Sequence, residues 1–347
     1  MSIHEKFMQR CLHLALAGEG NVAPNPMVGC VIVHENKIIG EGFHREFGGP
    51  HAEVFAVNAI RNKELLTAST LYVSLEPCSH YGKTPPCTEM IIRNGIPRVV
   101  IGMQDPFPLV AGKGIERLKD AGIMTTTGIL EKECRELNRR FLTFHQQKRP
   151  YIILKWAQTM DGFIDEVRQN TGIRYSNRIS GTLAHRVVHR QRTSEDAVLV
   201  GTQTALNDNP ELTAREWSGK SPLRIVIDRS LKLPSSLKLM DQKHETIVFN
   251  EVKSQQSENI SLIRIDFSGD VLTQIFDVLY NLNIQSLIVE GGAFTLQKFI
   301  ERNFWDEAYI YTGDKWFFKG LKAPAITGKI IANEPLDESY LTVIRPE

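Results

Sequence analysis

The sequence predicts two α/β domains in tandem, and three observations carry the prediction. A chain of 347 residues exceeds the roughly 250–300 at which a single hydrophobic core stops growing. Apolar residues alternate between helical and strand spacing along both halves, the pattern of a layered α/β architecture. Between the halves lies HQQKRP at 145–150, a polar, basic stretch closed by proline that separates a helical pattern from a fresh apolar strand. The boundary is set there, giving domains 1–147 and 148–347.

The elements follow in order. A helix is expected over 2–17, opened by the capping box Ser2-x-x-Glu5, in which hydroxyl and carboxylate each satisfy a backbone N–H. Strands at 28–33 and 37–42 form a hairpin about Glu35-Asn36. A helix over 51–62 leads to strand 70–75, helix 87–94, strand 98–103, helix 112–121, strand 123–127 and helix 131–144. The second half opens on a strand at 151–157. It continues with strands at 196–200, 223–227, 245–249, 286–290 and 306–311, and helices at 181–192, 271–282 and 293–301. No internal repeat or low-complexity tract interrupts the series.

Composition narrows the function classes. Hydrophobic content of 42% and charged content of 23% are those of an ordinary globular protein. The net charge is +1 and no long run of like charge occurs, so the basic footprint of a nucleic-acid binder is missing. The first ten residues carry Glu5, Lys6 and Arg10 and no apolar core of a signal peptide, and the apolar runs are strand-sized. The expectation is a cytoplasmic enzyme acting on small molecules, with neither a nucleic acid nor a membrane as partner. Five cysteines, an odd number in a long chain without a signal peptide, point to metal or catalysis rather than to disulfides.

His51-Ala52-Glu53, Pro77-Cys78 and Pro86-Cys87 together carry the pattern of a zinc deaminase, one His and two Cys on the metal and a non-ligand Glu for proton transfer. Three protein ligands leave the fourth tetrahedral position for water, as a catalytic site requires. His51 and Cys87 each open a predicted helix, where the dipole and free N–H groups favour a thiolate. Glu53, two residues past the first ligand, is placed to move protons to the ring nitrogen and the departing ammonia. An isolated His-x-Glu is usually surface, and two cysteines can be core thiols; the ordered set is what carries weight. Gly82-Lys83-Thr84 fails as a phosphate loop because Pro77 stands where its first glycine belongs, and Gly112-Lys113-Gly114 lacks the third glycine of a dinucleotide fingerprint.

Asn25-Pro26-x-Val28-Gly29-Cys30, Gly42-x-His44, His51-Ala52-Glu53 and Leu75-Glu76-Pro77-Cys78-Ser79-His80-x-Gly82-Lys83-Thr84-Pro85-Pro86-Cys87 resemble the riboflavin-biosynthesis family of bifunctional deaminases and reductases. The eight residues between the cysteines set the motif apart from the tighter PCxxC spacing of nucleic-acid deaminases. The resemblance continues through Lys155, Asp161-Gly162, the run 197–202, Asp208-Asn209-Pro210-x-Leu212-Thr213-x-Arg215, the run 224–228 and Glu290-Gly291-Gly292. It implies a cytidine-deaminase-like α/β/α sandwich followed by a dihydrofolate-reductase-like α/β domain. It also implies one Zn²⁺ per chain and NADPH as cofactors. The implied reaction removes the 2-amino group of a diamino-pyrimidinone ribotide, a phosphorylated pyrimidine, then delivers hydride to ribose C1′ to give a ribityl chain. A homo-oligomer is expected.

By the same match, Asn25, His44, Lys83 and Asp105 would contact the deaminase substrate. Ser176, Arg192, Leu212, Arg215 and Glu290 would face the reductase substrate. Gln158, Arg178, Thr204, Asp208 and the turn Gly292, Ala293, Phe294 would face NADPH. Lys155 and Glu290 are assigned substrate orientation and charge stabilisation, since each lies in or ends a core strand whose tip faces the cleft; the plain alternative is an inter-strand ion pair. Arg229, where the family more often has a small hydroxyl residue, follows a strand end and could pair with the 2′-phosphate of NADPH. The chain departs from the family pattern at Arg178-Ile179-Ser180, at Gln158 and across 166–177. The competing functions are an RNA-acting zinc deaminase with a C-terminal binding module, disfavoured by the neutral charge, and a deaminase-like structural partner, disfavoured by the intact Glu53.

Overall fold

The computed structural model describes residues 1–81, 85–107, 111–166 and 178–347. The chain divides into two compact units, Met1–Lys148 and Arg149–Glu347. No helix among the described residues is long and apolar enough to cross a membrane.

The first unit runs α1 (Ile3–Leu16), β1 (Gly29–His34), β2 (Lys37–Phe43), α2 (Ala52–Asn58), β3 (Thr70–Leu75), α3 (Cys87–Arg93), β4 (Arg98–Met103), α4 (Lys113–Asp120), β5 (Met124–Thr127), α5 (Glu131–Leu137) and α6 (Arg139–Gln147). The strands form one sheet in the order β2-β1-β3-β4-β5, antiparallel about β1 and parallel from β3 to β5. Strand periodicity sorts the side chains onto two faces. Ile32, Leu71, Val73, Val99 and Ile101 pack with α2, α3 and α4, while Val31, Val33, Tyr72 and Val100 pack with α1 and α5. The result is the three-layer sandwich expected. The Ser2/Glu5 capping box is formed, and Lys148, in the left-handed conformation, ends α6.

One expected helix is two. The pattern over 131–144 reads as continuous, but Asn138 breaks it between α5 and α6. Its buried side chain accepts from the Met27 N–H (2.8 Å) and donates to the Met27 carbonyl (2.9 Å), so the loop residue Met27, distant in sequence, holds the side chain of a position that periodicity alone reads as mid-helix.

The second unit contains β6 (Tyr151–Thr159), β7 (Phe163–Glu166), α7 (Thr182–Ser194), β8 (Ala197–Gly201), α8 (Thr202–Asp208), β9 (Leu223–Ile227), β10 (Thr246–Asn250), β11 (Gln255–Gln256), β12 (Ile260–Arg264), α9 (Val271–Asn281), β13 (Ser286–Val289), α10 (Ala293–Glu301), β14 (Glu307–Gly313), β15 (Gly320–Lys322), β16 (Lys329–Leu336) and β17 (Ser339–Arg345). Ten strands form a sheet in the order β11-β12-β10-β9-β8-β13-β6-β14-β17-β16, and β15 pairs with β7 separately. The strands from β12 to β14 are parallel, and β17 and β16 add antiparallel pairs at one end. Ile152, Leu154 and Trp156 of β6 face a core with α9 and α10, whereas Tyr151 and Ile153 face the opposite core. Buried on both faces, these central strands are near-continuous apolar runs. Sequence reading omitted α8, β7, β11, β12 and the three strands after 320.

Candidate functional site

In the first unit three segments deliver the candidate metal-ligating groups. His51 is the N-cap of α2 but makes no capping hydrogen bond; its ring turns to the cysteines instead. Cys87 is the first residue of α3, directly after Pro86, and Cys78 lies in the loop leaving β3. His51 Nδ1 is 3.3 Å from Cys87 Sγ and 3.6 Å from Cys78 Sγ. The Cys87 N–H donates to Cys78 Sγ at 3.3 Å. Zinc bonds of ~2.0–2.1 Å to nitrogen and ~2.3 Å to sulfur place tetrahedral N and S ligands ~3.5 Å apart. The donor set therefore fits zinc as it stands. The Cys78 thiol is pulled down, first by its hydrogen bond with the Cys87 thiol, and the same contact pushes the Cys87 thiol up, so the apposed pair favours one thiolate, the ligand form, at Cys78.

Glu53 sits on the first turn of α2 and is buried. Burial, the largest influence, pushes its carboxyl above the usual range, the direction a proton carrier working near neutrality needs. Asn25 and His44 join this group: Asn25 Nδ2 is 3.0 Å from His44 Nε2, His44 Nδ1 is 2.9 Å from the Pro50 carbonyl, and the His44 ring meets His51 edge-on at 5.6 Å. Burial lowers the His44 pKa, keeping the imidazole neutral. Helix α2 can come this close to β2 because Gly42 has no side chain; a Cβ there would lie 2.4 Å from the Ala52 carbonyl oxygen.

Glu76 was not singled out by the sequence. Buried immediately before Pro77-Cys78, its carboxylate accepts backbone N–H groups from Asp105 (3.1 Å), Gly112 (3.0 Å), Gly114 (2.9 Å) and Ile115 (3.2 Å). It thereby ties the Cys78 loop to the N-terminus of α4, where a negative charge is favoured, and to Asp105. Burial raises the Asp105 pKa. Gly114 makes the approach possible, since a Cβ would lie 2.1 Å from the Pro77 carbonyl oxygen. Beyond the place of Glu76 in the run that carries the family resemblance, its sequence cue is the glycine-bounded helix start at 112–114. Lys83 lies outside the described residues.

The second unit holds a cavity of about 1060 Å³ at the C-terminal ends of its parallel strands, where ligands of open α/β sheets bind. Lys155, Thr204, Asp208, Arg229, Glu290, Gly292, Ala293 and Phe294 line it. Glu290, one residue beyond β13, is the charge centre: Arg192 grips it through two hydrogen bonds of 2.9 and 2.7 Å, and Lys155 Nζ lies 3.6 Å away. Arg192 also donates to the Thr213 carbonyl at 2.8 Å. Burial pushes the Glu290 carboxyl up, but Arg192 and Lys155 outweigh it and hold the group at about 2. Burial likewise lowers the Lys155 pKa. Lys155 and Glu290 thus form the ion pair of the plain reading and line the cavity as well.

Other expected contacts stand differently. The Gly292 N–H at the start of α10 donates to Thr204 Oγ1 at 2.8 Å, so that donor is already engaged. Arg229 is exposed, bonded to Glu251 at 2.8 Å and set 5.7 Å from the Phe267 ring. Gln158, which accepts from Trp156 Nε1, and Arg178, Leu212 and Arg215 are not among the lining residues. Leu212 is buried in the opposite core, and Arg215 pairs with Glu211 at 3.2 Å. Ser176 lies outside the described residues.

Comparison with known proteins gives two family matches that cover most of the chain. Residues 1–103 match the cytidine and deoxycytidylate deaminase zinc-binding region, and residues 150–317 match the RibD C-terminal domain. The riboflavin biosynthesis protein RibD of Aquifex aeolicus is 41% identical over 92% of this chain and 89% of its own. That of Escherichia coli is 36% identical over 90% and 88%. Among solved structures, the diaminohydroxyphosphoribosylaminopyrimidine deaminase/5-amino-6-(5-phosphoribosylamino)uracil reductase of Thermotoga maritima superposes with a TM-score of 0.89 at 38% identity, covering 99% of both chains.

Proposed function

Because this chain belongs to the RibD family of bifunctional riboflavin-biosynthesis enzymes, with a zinc-binding deaminase domain and a reductase domain, we propose how its own residues divide that work. His51, Cys78 and Cys87 hold the zinc. When bound, the metal makes a water molecule acidic enough to supply a nucleophile near neutral pH. Glu53 takes the proton released and passes it to the pyrimidine ring nitrogen, then carries a second proton, from the newly added hydroxyl, to the leaving ammonia, a sequence that its burial and raised pKa suit. Asn25 and the neutral His44 orient the ring of the 2,5-diamino-6-(5-phosphoribosylamino)pyrimidin-4(3H)-one, and Asp105, held by Glu76, closes the site. The observation that carries this reading is the cluster of three ligand atoms beside a buried glutamate.

In the second unit the reductant is NADPH, which supplies the hydride. The cavity is of the size that encloses a large small-molecule ligand. Thr204, Asp208 and the opening turn of α10 line the cofactor side. Glu290, kept ionised by Arg192 and Lys155, binds polar groups of 5-amino-6-(5-phosphoribosylamino)uracil, and the Lys155 ammonium faces the ribose oxygen that gathers negative charge as the ring opens. Incubation of the purified protein with the diamino-pyrimidine ribotide and NADPH tests both halves. Ammonia release followed by loss of NADPH absorbance is expected; either signal missing removes the corresponding assignment.

A further inference from the structure

Lys155 is a largely buried cation whose carboxylate neighbour is already engaged. Its side chain is 17% exposed. Glu290 accepts two hydrogen bonds from Arg192, of 2.9 and 2.7 Å, and stands 3.6 Å from Lys155 Nζ, beyond the ~2.7–2.9 Å of a charge-assisted hydrogen bond. Burial first, and then the positive charge of Arg192, work against the ammonium. A charge taken out of water needs compensation, and Glu290 supplies only part of it.

The titratable and charged groups about Lys155 come from several elements. Glu290 follows β13, Arg192 is on α7, Tyr309 and Tyr311 are on β14, and Asp165 and His185 line the same cavity. Tyr309 is the register partner of Lys155 across the β6/β14 pair, and its hydroxyl donates to Glu307 Oε2 at 2.8 Å. Tyr311, two residues further and therefore on the same face of the sheet, presents its ring to the ammonium. Lys155 Nζ lies 5.7 Å from the ring centroid, within the ~6 Å at which an aromatic face attracts a cation.

The ring is held in that position from behind. Tyr311 is fully buried and packs with Ala184, Val188, Leu336 and Leu341. Its hydroxyl donates to Gln191 Oε1 at 2.7 Å, and burial pushes the phenol up, so the ring carries no charge of its own. Gln191 directly precedes Arg192 on α7. Adjacent residues of one helix therefore fix the far end of the ring and grip Glu290. Lys155, Tyr311, Gln191, Arg192 and Glu290 close a circuit of contacts, with the ammonium between a carboxylate and a π-face.

We propose that Tyr311 is a positioning residue of the reductase: its ring face, fixed by Gln191, holds the Lys155 ammonium in its charged form at the cavity wall. The inference rests on the reductase reading, in which that ammonium faces the ribose oxygen, and adds to it a residue that touches neither substrate nor cofactor. The plain alternative is a core tyrosine that only fills space. The two differ in what the electrons of the ring do.

The test uses the full-length zinc-loaded protein. Tyr311→Phe keeps the ring face and is the reference; phenylalanines bearing one, two and three ring fluorines then replace Tyr311, which drains electrons from the face while the volume barely changes. The Lys155 titration is followed by carbon NMR of protein labelled at lysine Cε, its signal identified by its loss in Lys155→Ala. The pH profile of reduction is recorded with the deaminated ribotide and NADPH. Weakening the contact destabilises the protonated form, so the Lys155 pKa should fall stepwise, by about one pH unit at three fluorines. The alkaline limb of the reduction profile should move down with it. A titration unchanged across the series overturns the proposal and returns Tyr311 to the core. A titration that falls while the alkaline limb stays supports the hold of Tyr311 on Lys155 and removes the ammonium from the reductase reading. The NMR titration needs no turnover, so a protein that fails to oxidise NADPH would count against that reading while this inference is still decided.

Discussion

Glu53 is the proposed proton carrier of the deaminase, beside the candidate metal ligands and buried. Glu53→Gln keeps the volume and removes the titrating oxygen, so the protein should retain its zinc by metal analysis while ammonia release falls at least ~10²-fold. Normal turnover in that variant would remove the proton-carrier role. Glu290 allows a prediction with a definite sign. Its pKa is depressed to about 2 from an ordinary value near ~4.3, so the stability it contributes is complete above ~4.3 and is lost as pH falls toward 2. Acid titration of unfolding should therefore lose part of its slope across that window in Glu290→Gln; an identical slope would show the group is not ionised in the native state. Arg229 is bonded to Glu251 rather than waiting free, yet it lines the cavity. Arg229→Ala should weaken NADPH about 10-fold or more while leaving NADH nearly unchanged, as loss of one charge-assisted contact implies, and equal effects on both would return it to the surface. The proposed zinc ligands are legible in sequence because metal chemistry demands fixed residue types in a fixed order. The role of Glu76 is not, because although it stands in the quoted run before Cys78, the backbone N–H groups it accepts come from 105–115 and leave no pattern near its own position.

At the scale of elements, Asn138 sets the break between α5 and α6 by holding both polar groups of Met27. Asn138→Ala would leave those part-buried groups without their partner, at a cost of ~1 kcal/mol or more, and should lower the denaturation midpoint of the first unit. A compensating rise would mean the two helices prefer to be one. The strand pattern of the first unit is readable because its faces meet different helices, so Ile32 and Val31, or Val99 and Val100, sort by parity. Strand β16 carries no such signal: Ile330 and Ile331 are both exposed, and Pro335 lies within it. Its place is fixed by pairing with β17, a non-local contact that no window of sequence contains. The short β12 is likewise defined by its parallel partner β10.

At the scale of the molecule, the two units have separate cores, and the chain passes from one to the other at Lys148 and Arg149. A fragment of residues 1–148 should fold, bind one zinc and release ammonia, and Glu53→Gln in the whole chain should leave reduction of the deaminated substrate intact. A soluble, zinc-loaded fragment without activity would show that the second unit completes the first site. The second unit has one further property of consequence. Its first strand, β6, pairs on one side with β13 and on the other with β14, which begin at Ser286 and Glu307. During translation, then, Tyr151–Thr159 leaves the ribosome with neither neighbour yet made, an apolar strand with both edges open. The ribosome must synthesise most of the second unit before that strand can be sealed, whereas every strand partner in the first unit has emerged once residue 127 is out. The nascent chain thus spends much of its synthesis with one unit able to close and the other obliged to wait, and it is in that interval that a holding chaperone has the most to protect.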